Sequence, residues 1–160
     1  MIPWWPRAYV DGAGLDDADA LAEIHGAAFA RTWSADDFAA LIADPVVFAL
    51  AVRRRSLFGA TRVAGFVLVR VVAGEAEILS IAVDPRGRGR GCGRLLMEEA
   101  LRRLYRERVA ACFLEVDRDN RTAVRLYRSL GFTVAGERPR YYPGARSGDG
   151  TALVMRLQLR

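Results

Sequence analysis

The chain has 160 residues, of which 52% are hydrophobic and 27% charged, with a net charge of +5. This composition predicts a single globular domain over residues 1–160 and argues against a disordered chain or a membrane span, since no run of 18 apolar residues occurs. Two cysteines and one histidine, without a CxxC spacing, argue against a disulfide framework and a metal site. The start of the chain does not resemble a signal peptide, so we expect a cytoplasmic protein.

The first half of the chain predicts a short strand, two helices and a three-stranded antiparallel meander. Asp16 or Asp17 can cap the first helix, and the Ser34–Asp37 spacing resembles a capping box that opens the second. Gly74 marks the tight turn between the last two strands. The predicted segments are a strand at 7–10, a helix after residue 17, a helix through 38–42, and strands at 46–53, 63–72 and 75–83.

The second half alternates helices and strands. Asp119 or Asn120 can cap the later helix, and Gly131 lies where a left-handed residue ends it. The predicted segments are a helix from 91 to about 108, a strand at 111–116, a helix after residue 120, and strands at 132–137 and 151–159. The order β-α-α-β-β-β-α-β-α-β-β predicts an α/β fold with a mixed sheet.

Between the strand that ends at Val83 and the following helix, glycine alternates with arginine. Pro85 stops the strand because proline donates no ladder hydrogen bond. Exposed backbone N–H groups and the positive end of a helix favour an anion at such a turn. The segment therefore predicts a pyrophosphate cradle, with an Arg/Gly-rich surface loop as the alternative. It carries four arginines with no acidic residue between them: Arg86, Arg88, Arg90 and Arg94.

Three polar residues that follow the cradle are candidates for chemistry. Glu115 interrupts an apolar strand; it either faces solvent or pairs with an arginine, or it is a general base whose pKa is raised by partial burial. Asn120 is first a helix cap, whose side chain can also meet a ligand. Tyr127 lies on an apolar helix face and so favours core packing, but its hydroxyl, if it reached a cleft, would be able to protonate a thiolate.

Other conspicuous residues favour structural roles. We predict packing or surface exposure for His25, and Cys92 is a small residue of the cradle without a histidine to make a nucleophilic pair. Trp4 and Trp5 favour a hydrophobic plug or a disordered start over an aromatic platform for nucleic acid.

The spacing Arg88-x-x-Gly91-x-Gly93 resembles the signature with which the GNAT N-acetyltransferases hold the pyrophosphate of acetyl-coenzyme A (acetyl-CoA). More of the chain is similar to the RimI-type ribosomal-protein-alanine N-acetyltransferases, strongly over 78–143 and loosely before residue 60. Asp117 departs from this pattern, since a basic residue is common there. The matching segments are 81–85, 88–94, 114–116, residue 120, 123–132 and 140–143.

The resemblance implies a GNAT fold: a mixed, mostly antiparallel sheet flanked by about four helices and splayed between the fourth and fifth strands. Acetyl-CoA would lie in the opening of the splay. Its pantetheine would pair with the backbone of the fourth strand, and its pyrophosphate would take N–H groups of the cradle. The implied cofactor-binding residues are Ile81, Ala82, Val83, Arg88, Gly89, Arg90, Gly91, Cys92, Gly93, Arg94 and Asn120.

The resemblance also implies direct transfer without an acyl-enzyme, with Glu115 as the base and Tyr127 as the acid. The acceptor would be a protein N-terminal α-amine, with the N-terminal alanine of a ribosomal protein favoured, and the loop 140–150 with Tyr141 and Tyr142 would cover it. Transfer to a small amine and a non-catalytic acetyl-CoA-binding module remain as alternatives. We expect no membrane partner and no direct contact with nucleic acid.

Overall fold

A computed structural model describes residues 8–56, 58–139 and 150–160. Within these residues, seven strands form one sheet in the order β1-β2-β3-β4-β5-β7-β6, and four α-helices accompany it. The elements are β1 (Ala8–Gly12), α1 (Ala18–Ala28), α2 (Ala35–Ala43), β2 (Val47–Arg55), β3 (Thr61–Val72), β4 (Glu75–Val83), α3 (Cys92–Arg106), β5 (Ala111–Asp117), α4 (Arg121–Ser129), β6 (Thr133–Arg138) and β7 (Ala152–Gln158). The predicted order is confirmed, and no strand end differs from the prediction by more than two residues.

The sheet is mostly antiparallel, and its parallel pair is β4 with β5. That ladder joins Glu75–Glu77 to Ala111–Phe113. Because β4 continues to Val83 and β5 to Asp117, the ladder involves only the first residues of each strand. The predicted α/β fold with a mixed, mostly antiparallel sheet is confirmed.

The two N-terminal helices begin differently. In α2 the predicted capping box is present, with the Ser34 Oγ accepting from the Asp37 N–H at 3.1 Å and the Asp37 carboxylate accepting from the Ser34 N–H at 2.9 Å. Asp17 lies at the N-cap position of α1, but the predicted cap contact is wrong because its side chain makes no hydrogen bond to the first turn of the helix. Its carboxylate accepts instead from the Gly14 N–H and from the Arg53 guanidinium, whose two parallel bonds form a stronger pair than a helix cap.

The hairpin between β3 and β4 turns on Ala73 and Gly74, whose φ angles are +53° and +78°. Two successive left-handed residues match the twist of the strands in a two-residue turn. Gly74 adopts this conformation without strain, as predicted, and Ala73 adopts it because the turn requires it.

The described residues form two compact units. One holds the described residues up to Arg70 together with Leu79–Leu101, and its core joins α1 and α2 to the sheet through Leu21, Phe38 and Phe66. The other holds Val71–Ile78 and the described residues from Arg102 onward, and it buries apolar residues of β5 and β7. The single-domain interpretation of the sequence stays a prediction. Within the described ranges, no helix has the length and apolarity needed to cross a membrane.

Candidate active site

The segment that follows β4 is fixed by Asp84, which is buried. Its backbone N–H donates to the Ala64 carbonyl at 2.8 Å, and its carboxylate accepts from the Arg86 N–H at 2.9 Å. The Arg86 guanidinium lies 2.9 Å from the same carboxylate, and the Arg62 guanidinium 3.3 Å from it. The hydrogen bonds and charge of Arg86 lower the pKa of Asp84 to about 2. Asp84 therefore anchors the beginning of the cradle.

The charge of the cradle is smaller than the four arginines of the sequence suggest. Arg86 pairs with Asp84, and Arg94 lies 3.6 Å from Glu98 one helical turn further on. Arg88 and Arg90 are exposed, and among the described residues neither has an ion-pair partner. Acidic residues on either side of the segment thus pair with two of its four arginines.

The backbone of the cradle depends on two glycines. Gly89 and Gly91 both have φ of +77°, a left-handed conformation that strains any residue with a Cβ. A Cβ at either position would meet nothing within 4 Å, so the space beside the backbone is open. The Gly91 carbonyl accepts from the Leu95 N–H at 3.0 Å and so opens α3. The N–H groups of 92–94 then lack partners within the helix, and with Arg88 and Arg90 they fit an anionic pyrophosphate.

The strand before the cradle presents backbone rather than reactive side chains. Ile81 and Val83 are half-buried, and Ala82 is buried. A Cβ on Gly65 of β3 would lie 2.9 Å from the Ala82 carbonyl oxygen, so glycine is required there for close backbone approach. The sequence analysis missed Gly65, although an isolated glycine within a strand pattern is a known sign of such an approach.

Glu115 lies on β5, opposite Val154 of β7. Its side chain is 24% exposed, and its Oε1 lies 3.0 Å from Nη1 of Arg138, which is 63% exposed. Of the sequence alternatives, the structure thus shows a carboxylate paired with an arginine that retains access to solvent. Its role as a base stays a prediction.

The two other candidates of this unit lie on α4. Asn120 is the N-cap, and its Oδ1 accepts from the Ala123 N–H at 3.2 Å, as predicted. Tyr127 is buried, with its ring 5.9 Å from the ring of Phe132, which confirms the packing role. Burial disfavours the phenolate and raises the pKa of Tyr127 to about 12.

The remaining residues singled out in the sequence serve packing where they are described. His25 is buried, stacks on Trp33 and accepts the Trp33 backbone N–H at Nδ1 over 3.3 Å, which confirms its packing role. Cys92 is buried at the start of α3, beside Gly93. The predictions for Trp4, Trp5, Tyr141 and Tyr142 concern residues outside those that the structure describes.

Known proteins agree with this architecture. The family model of the acetyltransferase (GNAT) family matches residues 18–132. The ribosomal protein bS18-alanine N-acetyltransferase of Salmonella typhimurium is 42% identical over 98 residues, which are 61% of this chain and 66% of that protein. The mycothiol acetyltransferase of Kineococcus radiotolerans is 38% identical over 149 residues, covering 88% of this chain and 46% of that protein. The matched region thus spans slightly less than two thirds of the Salmonella relative and about half of the Kineococcus one.

Solved structures agree as well. The crystal structure of the ribosomal-protein-S18-alanine N-acetyltransferase of Escherichia coli superposes with a TM-score of 0.83 at 31% identity, covering 96% of this chain and 94% of that one. A family model over most of the chain and a relative of this similarity place it without ambiguity. The chain belongs to the acetyltransferase (GNAT) family.

Proposed function

We propose that the protein transfers the acetyl group of acetyl-CoA to the α-amine of a protein N-terminus, with the N-terminal alanine of a ribosomal protein as the favoured acceptor. The similarity to the S18-alanine N-acetyltransferase of Escherichia coli over 96% of the chain carries this proposal. When bound, acetyl-CoA supplies a thioester whose acetyl group is open to attack by an amine.

The cradle would hold the cofactor through its pyrophosphate. Gly89 and Gly91 leave open space beside the backbone, and Arg88 and Arg90 add two exposed guanidinium groups. Arginine suits phosphate because its planar fork donates two parallel hydrogen bonds. We assign the pantetheine contacts to the backbone of 81–83 and a further contact to Asn120, as the family resemblance implies.

Glu115 would serve as the base. A carboxylate that is 24% exposed remains in reach of water, and the neighbouring guanidinium favours its charged, proton-accepting form. We propose that it accepts one proton from the acceptor ammonium through a water molecule. The neutral amine can then form an amide bond to the acetyl carbonyl as the carbon–sulfur bond breaks, with the second nitrogen proton lost to water.

Tyr127 would donate a hydrogen bond to the departing sulfur. With a pKa of about 12 its hydroxyl keeps its proton at neutral pH. A thiol has a pKa near 8.5, so complete transfer of the proton from this tyrosine to the thiolate is uphill by about 3.5 pKa units, roughly 5 kcal/mol. The burial of Tyr127 therefore favours a donor that stabilises the thiolate over an acid that protonates it fully.

The chemistry of an α-amine suits a single carboxylate base. An α-amino group has a pKa of about 7.7–8.0 and a lysine side chain about 10.4. Near pH 7.5 a substantial fraction of the α-amine is already neutral, while only about one lysine in a thousand is. A small amine is the second candidate acceptor, and the 38% identity to the Kineococcus mycothiol acetyltransferase favours it.

Intact-mass measurement after incubation with acetyl-CoA tests the proposal. The mixture contains an alanine-initiated peptide, its N-terminally blocked twin with an internal lysine, and a panel of small amines. We expect acetylation of the free α-amine peptide alone. Acetylation of small amines alone would favour the second candidate, and cofactor binding without any product would favour a non-catalytic module.

Glu115→Gln tests the base, and Glu137→Gln on exposed β6 is the matched control. We expect Glu115→Gln to lower kcat roughly a hundredfold or more while the Kd for acetyl-CoA stays unchanged. Glu137→Gln should leave both quantities unchanged.

A further inference from the structure

The last strands of the sheet contain an irregularity in register. Thr133 and Val134 pair with Arg156 and Met155, but the next pair joins Gly136 to Val154. Ala135 is therefore an extra residue on β6, which makes this a β-bulge.

The bulge decides which charge faces Glu115. Residues paired across neighbouring strands project to the same face of a sheet. Arg138 pairs with Ala152, which pairs with Asp117, and Asp117 lies two residues from Glu115 and so shares its face. Without the bulge, Glu137 would stand opposite Ala152 and present a carboxylate, in place of a guanidinium, on the face of Glu115.

Glu115 on β5, Val154 on β7 and Gly136 on β6 lie opposite one another and form one cross-strand row. Because Gly136 has no side chain, the space beside this row is open on the β6 side. Arg138 projects from the adjacent row and reaches diagonally across β7, placing Nη1 3.0 Å from the Glu115 Oε1.

Other charged groups described on this face of the sheet are Glu75 and Glu77 of β4, which pair with Ala111 and Phe113 of β5, together with Arg156 and Asp117. The Arg156 guanidinium lies 5.6 Å from the centre of the Phe113 ring and bonds the Gln158 side chain. The Asp117 carboxylate accepts from the Asp119 N–H at 2.8 Å.

We infer that Arg138 is the positioning residue of Glu115: the bulge brings its guanidinium onto the catalytic face, where it fixes the carboxylate and keeps it ionised to lower pH. The inference rests on the proposed role of Glu115 as base. A carboxylate held in one orientation does not have to be reoriented before it accepts a proton, which lowers the activation free energy. A carboxylate that stays ionised can accept a proton over a wider range of pH.

The test compares Arg138→Gln with Arg138→Lys. Arg106→Gln removes one charge at the exposed end of α3 and is the matched control. Titration of the Glu115 side-chain carboxyl by carbon-13 NMR, assigned from the signal missing in Glu115→Gln, gives a readout without turnover. In Arg138→Gln we expect the Glu115 midpoint to rise by about half a pH unit, the size typical of a partly exposed ion pair.

The kinetic parameters of the Arg138 variants should change in the same order as their Glu115 midpoints. In Arg138→Gln the acidic limb of the kcat pH profile should move upward by a similar amount, and the plateau kcat should fall roughly tenfold because the carboxylate is less well oriented. The KM for acetyl-CoA should stay unchanged. Arg138→Lys should recover part of the midpoint shift, since it restores the charge without the planar fork.

Two outcomes overturn the inference in distinguishable ways. If Arg138→Gln leaves the Glu115 midpoint and the acidic limb where they are in the parent, or if Arg106→Gln moves them equally, Arg138 does not position Glu115 although the proposed function stands. If Glu115→Gln retains full turnover, the base assignment itself fails and the inference fails with it.

Discussion

Backbone conformation at single residues shapes the segment before α3. Gly89 and Gly91 are glycines because of their φ angles, since a Cβ at either position would meet no atom within 4 Å. Substitution there creates no clash within the fold, so its effect on a ligand is separable from its effect on packing. Gly59 offers the same conformation away from the cradle, with φ of +83° and equally open surroundings.

Gly91→Glu should abolish measurable acetyl-CoA binding. The substituted carboxylate projects into the open space of the cradle and repels a pyrophosphate, and its left-handed backbone costs about 1 kcal/mol. Gly59→Glu imposes the same strain outside the cradle and should bind acetyl-CoA like the parent. Isothermal titration calorimetry measures both, and equal affinity in the two variants would contradict the assignment of the cradle.

The number of arginines in the cradle overestimates the positive charge that is available to a ligand. Arg86 appears in the sequence as one of four basic residues, yet it pairs with Asp84 two positions before it. The partner was visible in the sequence, but the pairing depends on the short turn that points both side chains the same way. Arg88 and Arg90 project into solvent instead.

At the level of elements, the connection between α1 and α2 depends on His25. Its ring lies 4.7 Å from Trp33 and 5.6 Å from Phe38, and its Nδ1 accepts the Trp33 backbone N–H. This bond requires an unprotonated Nδ1. Burial disfavours the imidazolium and lowers the pKa of His25, so the connection is built for the neutral ring.

His25→Phe should destabilise the fold by about 1 kcal/mol at pH 7.5, because it keeps a ring in the cluster but removes the acceptor for the Trp33 N–H. The folded-state pKa of His25 lies below its usual 6.5, so the stability it contributes is present above pH 6.5 and is lost as the pH falls.

Urea unfolding at pH 7.5 and 5.5 measures this effect. His25 is the one histidine of the chain, so the parent should lose stability between these values and the variant should lose less. An equal loss in both proteins would show that His25 is not the titrating group.

The order of elements was predictable because local signals carry it. Apolar periodicity, the Ser34–Asp37 capping box, Asn120 and Gly131 each act within a few residues of the chain. The β6 bulge was not predictable, since it exists only relative to the register of β7. The partner of Asp17 was not predictable for the same reason, because Arg53 is 36 residues away.

The candidate site likewise combines features that were predictable from local sequence with features that were not. Its residue types and order could be taken from the motifs, including Glu115 and the cradle glycines. The ion pair between Glu115 and Arg138 depends on three strands in register, and the Gly65 approach to Ala82 depends on two. Contacts of this kind arise from tertiary pairing, which no single segment encodes.

At the level of the whole molecule, the carboxylates make stability depend on pH. The chain is basic, with a net charge of +5, so loss of negative charge in acid increases its self-repulsion. Among the paired carboxylates of the described residues are Asp17, which lies beside Arg53, and Asp84, which lies beside Arg86 and Arg62. Hydrogen bonds from Arg53 lower the pKa of Asp17, and those from Arg86 lower that of Asp84.

Asp84→Asn should therefore reveal an acid-sensitive share of the stability. The pKa of Asp84 falls from 3.8 to about 2 on folding, so its contribution is complete above about pH 4 and disappears as the pH falls toward 2. The shift corresponds to roughly 2–3 kcal/mol at most, and screening at the exposed Arg86 reduces it to about 1–2 kcal/mol. Urea unfolding from pH 7 to 2.5 should show the variant less stable by this amount at neutral pH and the two proteins converging below pH 3. Asp16→Asn changes an exposed carboxylate and is the control, whose free energy of unfolding should follow that of the parent at every pH. If the difference in free energy of unfolding between Asp84→Asn and the parent stayed constant down to pH 2.5, packing around Asp84 rather than its charge would stabilise the start of the cradle.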